Sequence, residues 1–439
     1  MPYLLGQLGR AIVKIGTILP LLFIFAGLAL EGAATASLSA LLAATLLLSL
    51  LLRLAFVDGD RLRSVLARYV LSAIAAICFL CWSGATALRF PVCQVPDVLQ
   101  LVFHPTWREF GLSTEAVSIS PYRTIEGIVA FLCPLSAFLL GALTVERARD
   151  RNRISGTIAV LTVAIAAYAL SQHLHERAFG ARLMLNFGSA NSAACLFGAL
   201  GILNLASVLR HQTHNDSDDP IVLSSLTRAP IAVTGLLLSL ACLMLTASRG
   251  GILSALVGLS ILVLMRTRFL SRPSFSTTAI ASVICALFLI GGQFAIDRLT
   301  NLGPDAAMRE QMAQTHWRAF LDRPWIGHGL NTFHELNLFY ASPNAWPALH
   351  SIGSAHSIYI QLLEETGIVG AALFTLMLGP ILFRVFLTAT LSERRSASSA
   401  GAIAAFVAAL MHGAVDFGLQ TPAIAALLTY SLGAASAKL

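Results

Sequence analysis

Twelve stretches of this chain stay apolar for about twenty residues at a time, near 11–30, 34–52, 66–88, 124–144, 155–172, 190–208, 230–247, 250–265, 277–295, 367–388, 399–416 and 420–437. A helix needs roughly 20 apolar residues to cross the ~30 Å hydrocarbon core of a bilayer, and it satisfies its backbone polar groups internally. The pattern therefore predicts an all-α polytopic membrane protein with about 12 transmembrane helices in a single membrane domain over 1–439. Composition agrees: 56% of the 439 residues are hydrophobic and only 12% are charged, with a mean hydropathy of +0.77. A water-soluble domain cannot hide that much apolar surface. A soluble enzyme, a disordered chain and a disulfide-stapled secreted module are all excluded.

The formal charge is +7. In a soluble protein that balance would suggest nucleic acid as a partner. Here the basic residues lie between apolar runs, and nearly two in three of the 29 Lys and Arg fall on one side of the alternating spans. By the positive-inside rule that side is cytoplasmic, with both termini on it. Arg147 to Arg153 and the pair Arg394–Arg395 read as inner-loop topology signals. Arg10 and Lys14 precede the first apolar run without a convincing small-residue cleavage site, so a first membrane helix is expected rather than a removed signal. All the cysteines except Cys93 lie inside apolar runs and show no metal-ligand spacing. Three outer segments stand out, at 89–123, about 173–190 and 296–366. The last is long, partly helical, and carries Trp317, Trp325, Trp346, His316, His328, His334, His350 and His356. A loop of this length is more often functional than merely connecting.

Three clusters could carry chemistry. In Thr246-Ala247-Ser248-Arg249-Gly250-Gly251 an arginine sits where an outward-going helix meets an inward-going one. Such a cation either reaches phospholipid headgroups or holds an anion; the glycines that let the backbone turn closely favour the second reading. The large loop contributes Arg309, His316-Trp317-Arg318 and Asp322-Arg323-Pro324-Trp325-Ile326-Gly327-His328-Gly329. The stretch 309–321 can form an amphipathic helix, and the segment after it a tight turn. Third, His356 opens the stretch Ala355-His356-Ser357-Ile358-Tyr359-Ile360-Gln361-Leu362-Leu363-Glu364-Glu365-Thr366-Gly367. Histidine exchanges a proton near neutral pH, which suits a general base; a lone loop histidine is otherwise a surface side chain. Asp416, with His412 one turn before it, is costly in a span and asks for a partner, either a neighbouring arginine or His356.

Taken together, Ser248-Arg249-Gly250, Arg309 with Arg323-Pro324-Trp325-Ile326-Gly327-His328-Gly329, and His356-Ser357-x-Tyr359-x-Gln361-Leu362-Leu363-x-Glu365-x-Gly367 resemble the bacterial O-antigen ligase and polymerase superfamily of membrane glycosyltransferases. The segment from Arg182 to Asn191 resembles, more loosely, that family's Gly-(Thr/Ser)-Phe-x-Asn-x-Asn element. Ser357 stands where the family usually has Asn.

The resemblance implies a GT-C-like enzyme of the bacterial inner membrane, with its active site on the periplasmic face. The implied donor is O-antigen glycan on undecaprenyl diphosphate, and the implied acceptor is the lipid A–core oligosaccharide. Arg249 and Arg309 would hold the diphosphate, because a guanidinium makes paired, charge-assisted bonds to phosphate oxygens. His356 would take the proton of the acceptor hydroxyl, with inversion at the anomeric carbon. Arg182, Asn191, Arg318, Arg323 and Asp416 are further candidate substrate-binding residues. No cofactor and no metal is expected: Asp58-Gly59-Asp60 has the spelling of a metal-binding pair but lies in an inner loop. The shared motifs do not separate a ligase from a polymerase or a protein O-glycosyltransferase. Ordinary ligase length and the absence of an appended soluble domain favour the ligase. A polysaccharide transporter or flippase is the non-enzymatic alternative.

Overall fold

The computed structural model describes Gly16 and residues 18–91, 102–175, 182–210, 229–267, 304–343, 346–350, 352–391 and 396–436. It is an all-α polytopic membrane protein. In chain order the main helices are α1 (Ile18–Ala29), α2 (Ala36–Phe56), α3 (Gly59–Arg68), α4 (Val70–Ala87), α5 (Pro121–Thr144), α6 (Ala148–His175) and α7 (Ala190–Arg210). There follow α8 (Pro230–Leu245), α9 (Arg249–Thr267), α10 (Pro304–Asp322), α11 (Phe333–Tyr340), α12 (Ile358–Leu391), α13 (Ala397–His412) and α14 (Pro422–Ala435). Eleven of the twelve expected spans coincide with these helices; the ninth, 277–295, lies outside the described residues.

Seven of the described helices are long and apolar enough to cross a membrane, whereas α1, α8, α13 and α14 are shorter. The shortening has local causes. Pro230 and Pro422 stand in the first turns of α8 and α14, where a missing N–H costs nothing. The helix α13 ends at His412, so the expected 399–416 span gives way to a turn over 413–417. Asp416 consequently lies in that turn rather than inside a helix.

Helix α7 sits at the centre, with 94% of its apolar window buried, against α6, α8, α9 and α13. A second group joins α5 to α2 and α14. Where α5 crosses α14 the backbones nearly touch: a Cβ on Gly433 would stand 2.1 Å from the Phe138 carbonyl oxygen, and one on Gly141 would stand 2.2 Å from that of Tyr430. Lipid supplies no hydrophobic drive for helix association, so small residues that let backbones approach are the natural contact surface.

The polar groups segregate to the two ends of the bundle. At one end Arg53 pairs with Glu146 and donates to the Leu143 carbonyl at 2.8 Å. Arg68 donates to the Ser436 carbonyl at 3.0 Å, and Arg151 to Ser396 Oγ at 3.0 Å. The other end carries the loops. There a two-stranded antiparallel sheet, β1 (Phe90–Pro91) with β2 (Thr114–Glu115), anchors the first loop. The large loop contains a single helical turn at Trp346–Leu349.

The large loop is locked to α12 by backbone contact. Gly329 N–H donates to the Glu365 carbonyl at 2.8 Å, and Ile368 N–H to that of Pro324 at 2.7 Å. Gly327 and Gly367 both have positive φ, +69° and +64°. A Cβ on either would fall 2.4 Å from backbone atoms of the other segment. Glycine is required here for conformation and for space at once. The two glycine-bearing motifs are thus halves of one interlocked unit.

Candidate active site

The site assembles at the loop end from four parts of the chain. Ser248 caps α9: its Oγ accepts from Gly251 N–H at 3.3 Å and donates to Asn191 Oδ1 at 2.7 Å. This places the half-buried Arg249 in the first turn of α9, where unsatisfied N–H groups and the helix dipole already favour an anion. Gly250 lies against α13, and a Cβ there would stand 3.4 Å from His412 Cδ2.

Asn191 is the hub. Besides Ser248, its Oδ1 accepts from Arg182 Nη2 at 3.2 Å, while its Nδ2 donates to Asp416. Arg182 also donates from Nε to the Thr246 carbonyl at 2.8 Å, which ties the 182–189 segment to the turn before α9. Asp416 is 1% exposed. It accepts from Phe417 N–H at 2.8 Å and faces His356 Nδ1 at 3.4 Å. Burial works to raise the Asp416 carboxyl, but the hydrogen bond from His356, the nearby His412 and the Phe417 N–H carry it below its ordinary value. The group is an anion held beside the imidazole. With Nδ1–H turned to Asp416, Nε2 keeps its lone pair for a substrate; that tautomer is inferred from the network.

His356 adopts φ +49° and packs edge-to-face on Phe417 at 5.2 Å. The next turn is tied down by Ile358 N–H donating to the Gly413 carbonyl at 2.9 Å. On α10, Arg309 is exposed, and its charge reaches His412. Nδ1 of the buried His412 finds no hydrogen-bond partner among the described residues. Beside them, Met312 of α10 and Ala355 share a small apolar cluster, which docks the loop helix against the residue before His356.

Residues 234–375 match the family model described as O-antigen ligase. Over that stretch the match supports the O-antigen ligase/polymerase superfamily. No curated protein matches the chain. The matched residues include Arg249, Arg309 and His356 but not Arg182, Asn191 or Asp416. The fold brings those three to the superfamily segment.

Two expected site residues do not join the cluster. Arg323 is buried, and its guanidinium donates to the carbonyls of Val117, at 3.0 Å, and Val102. It stitches the first loop to the large one instead of facing a substrate. Arg318 is exposed on α10. At about 100° per residue it lies half a turn out of phase with Arg309, away from His356. Asn191 and Asp416 hold other protein groups: Asn191 meets Arg182 and Ser248, and Asp416 meets Asn191, His356 and the Phe417 N–H. Asp58 and Asp60 lie at the start of α3 at the opposite end, where Asp60 faces Arg63 at 3.8 Å.

Several supporting residues had no distinguishing local signal. Ser248 reads as an ordinary helix cap. His316, fully buried, is hydrogen-bonded to Glu364 over 2.6 Å and stacks on Phe333 at 4.2 Å, joining α10, α11 and α12. His104 Nε2 meets His328 Nδ1 at 3.0 Å and joins the two loops.

Proposed function

We propose that this protein transfers O-antigen glycan from a polyprenyl diphosphate to the lipid A–core oligosaccharide at the periplasmic face of the inner membrane. The observation that carries the reading is the meeting of Arg182, Arg249 and the His356–Asp416 pair around Asn191 at one end of the bundle, within and beside the O-antigen ligase match. The arginine-rich end, with Arg53, Arg61, Arg68 and Arg151, is then cytoplasmic by the positive-inside rule, and the loop end periplasmic.

In this mechanism Arg249, Arg309 and Arg182 bind the diphosphate. The leaving group keeps the electron pair of the glycosidic C–O bond, and the guanidiniums with the α9 N-terminus stabilise the charge that develops on it. His356 Nε2 takes the proton of the attacking core hydroxyl while Asp416 stabilises the resulting imidazolium. Attack opposite the diphosphate inverts the anomeric carbon. The fixed cations supply the charge that a divalent ion would otherwise provide, so transfer is expected to continue undiminished in EDTA.

A deletion strain tests the reading by lipopolysaccharide gel. Loss of a ligase leaves bare core while polyprenyl-linked polymer accumulates; loss of a polymerase leaves core capped by one unit. His356→Ala reproduces the deletion while still inserting in the membrane. A full ladder from that variant would remove the histidine from the mechanism. Glycan translocation into liposomes without a new bond would make the protein a transporter.

A further inference from the structure

A buried relay connects the large loop to the backbone at His356. Glu365 Oε2 accepts from Asn331 N–H at 2.7 Å, and Oε1 accepts from Phe333 N–H at 3.2 Å. The same Oε1 accepts from Gln361 Nε2 at 2.9 Å. Gln361 Oε1 in turn accepts from Ala355 N–H at 3.2 Å. Three of the four links join buried residues, with Glu365 5% and Gln361 7% exposed; the Asn331 link reaches an exposed residue at the edge of the relay. The chain of donors has one direction. Three N–H groups converge on the two Glu365 oxygens, so the Gln361 amide turns its N–H₂ toward Glu365 and leaves its oxygen for Ala355.

The residue after Ala355 is His356, held in the left-handed region, which costs a non-glycine residue free energy and persists only where its surroundings over-determine it. Two hydrogen bonds flank it, Ala355 N–H to Gln361 on one side and Ile358 N–H to the Gly413 carbonyl on the other. The second sets His356 against the turn that bears Asp416; the first sets it against α12 and, through Gln361 and Glu365, against the 331–333 turn. We infer that Gln361 and Glu365 are positioning residues for His356, transmitting the seating of the 331–333 turn to the imidazole through the Ala355 N–H. This rests on His356 being the base. It makes the spacing of His356, Gln361 and Glu365 a requirement of geometry: Gln361 and Glu365 are one helical turn apart on one face of α12.

The test uses full-length enzyme in nanodiscs with polyprenyl-diphosphate-linked glycan and lipid A–core, with kcat referred to folded protein. Gln361→Met keeps the volume and removes both bonds. Its expected kcat falls on the order of 10²-fold, as for a misplacement of about 1 Å, while KM for the donor changes less than about threefold. A merely structural role would lower the yield of folded enzyme and leave the kcat of the folded fraction in place. Glu365→Gln reverses the relay, since an amide N–H₂ then opposes the Gln361 donor. The exchanged pair, Gln361→Glu with Glu365→Gln, restores an acceptor to Ala355 N–H and is expected to recover about tenfold, the worth of roughly one hydrogen bond. Unchanged kcat in Gln361→Met, beside an inactive His356→Ala, overturns the positioning role and leaves the base reading intact. An active His356→Ala enzyme overturns both.

Discussion

Replacing Asp416 by asparagine changes two atoms and reverses the logic of the site. The native carboxylate accepts from Asn191 Nδ2, Phe417 N–H and His356 Nδ1–H. Phe417 N–H is held by Oδ1, while Asn191 Nδ2 and His356 Nδ1 share Oδ2, so an amide that keeps its one acceptor oxygen on the Phe417 N–H puts its N–H₂ against His356 and Asn191. The imidazole must then present a bare Nδ1 and carry its proton on Nε2, the nitrogen needed for the acceptor hydroxyl. A base locked in the wrong tautomer costs on the order of 10⁴ in kcat where the orienting bond is short. Here that bond spans 3.4 Å, which puts the expected loss between about 10² and 10⁴, or about 2.7 to 5.4 kcal/mol of barrier. Asp416→Ala imposes no tautomer and leaves a small polar space that water can enter. The ordering is the sharp test: kcat of wild type exceeds that of Asp416→Ala, which exceeds that of Asp416→Asn. Glycan transfer to lipid A–core by purified enzyme in nanodiscs, followed by gel and scaled to folded protein, measures it. An asparagine variant within threefold of wild type, or faster than the alanine variant, would refute the orientation argument.

Two further outcomes follow from the loops and the helix crossing. The His104–His328 pair is pushed down by burial, to about 3 and about 4, with Arg323 opposing charge on both and His328 opposing it on His104. An unfolded chain binds protons at these sites below pH 6.5 while the folded one does not; the pair's contribution is therefore complete above pH 6.5 and is lost as pH falls toward 4. Thermal melts in detergent between pH 4.5 and 7.5 should show that fall, and His328→Phe should flatten it; an unchanged slope would count against the pair as the origin. Gly433→Ala puts a methyl group 2.1 Å from the Phe138 carbonyl oxygen and must part α5 from α14. Little monodisperse protein is expected on size exclusion, whereas a wild-type profile would deny the close crossing.

The spans were legible because their signal is local. A run of apolar residues of the right length has no other stable destination than the bilayer, and a helix is the form it takes there. Arg249 and His356 were approachable as candidates for a similar reason, since side-chain chemistry and a short motif sit in one segment. Arg309 and Arg318 show the limit: both are arginines of α10, half a turn out of phase, and only the docking of Met312 with Ala355 distinguishes their faces. Arg323 was a candidate substrate-binding residue, yet its guanidinium serves two carbonyls of a loop some two hundred residues away.

What the amino-acid order determined by itself is the membrane architecture, the loop that bears the chemistry and the types of group available there. What only the packed helices decided is who meets whom. Asn191 reaches Ser248 across 57 positions and Asp416 across 225, and His356 reaches Asp416 across 60. Such bonds are worth a few kcal/mol at most and leave no periodicity behind them. They exist because α7, α9 and α13 are pressed together by their small-residue faces, as at Gly198 on Ala255 and Gly401 on Ala206, and that contact brings their polar ends to one place.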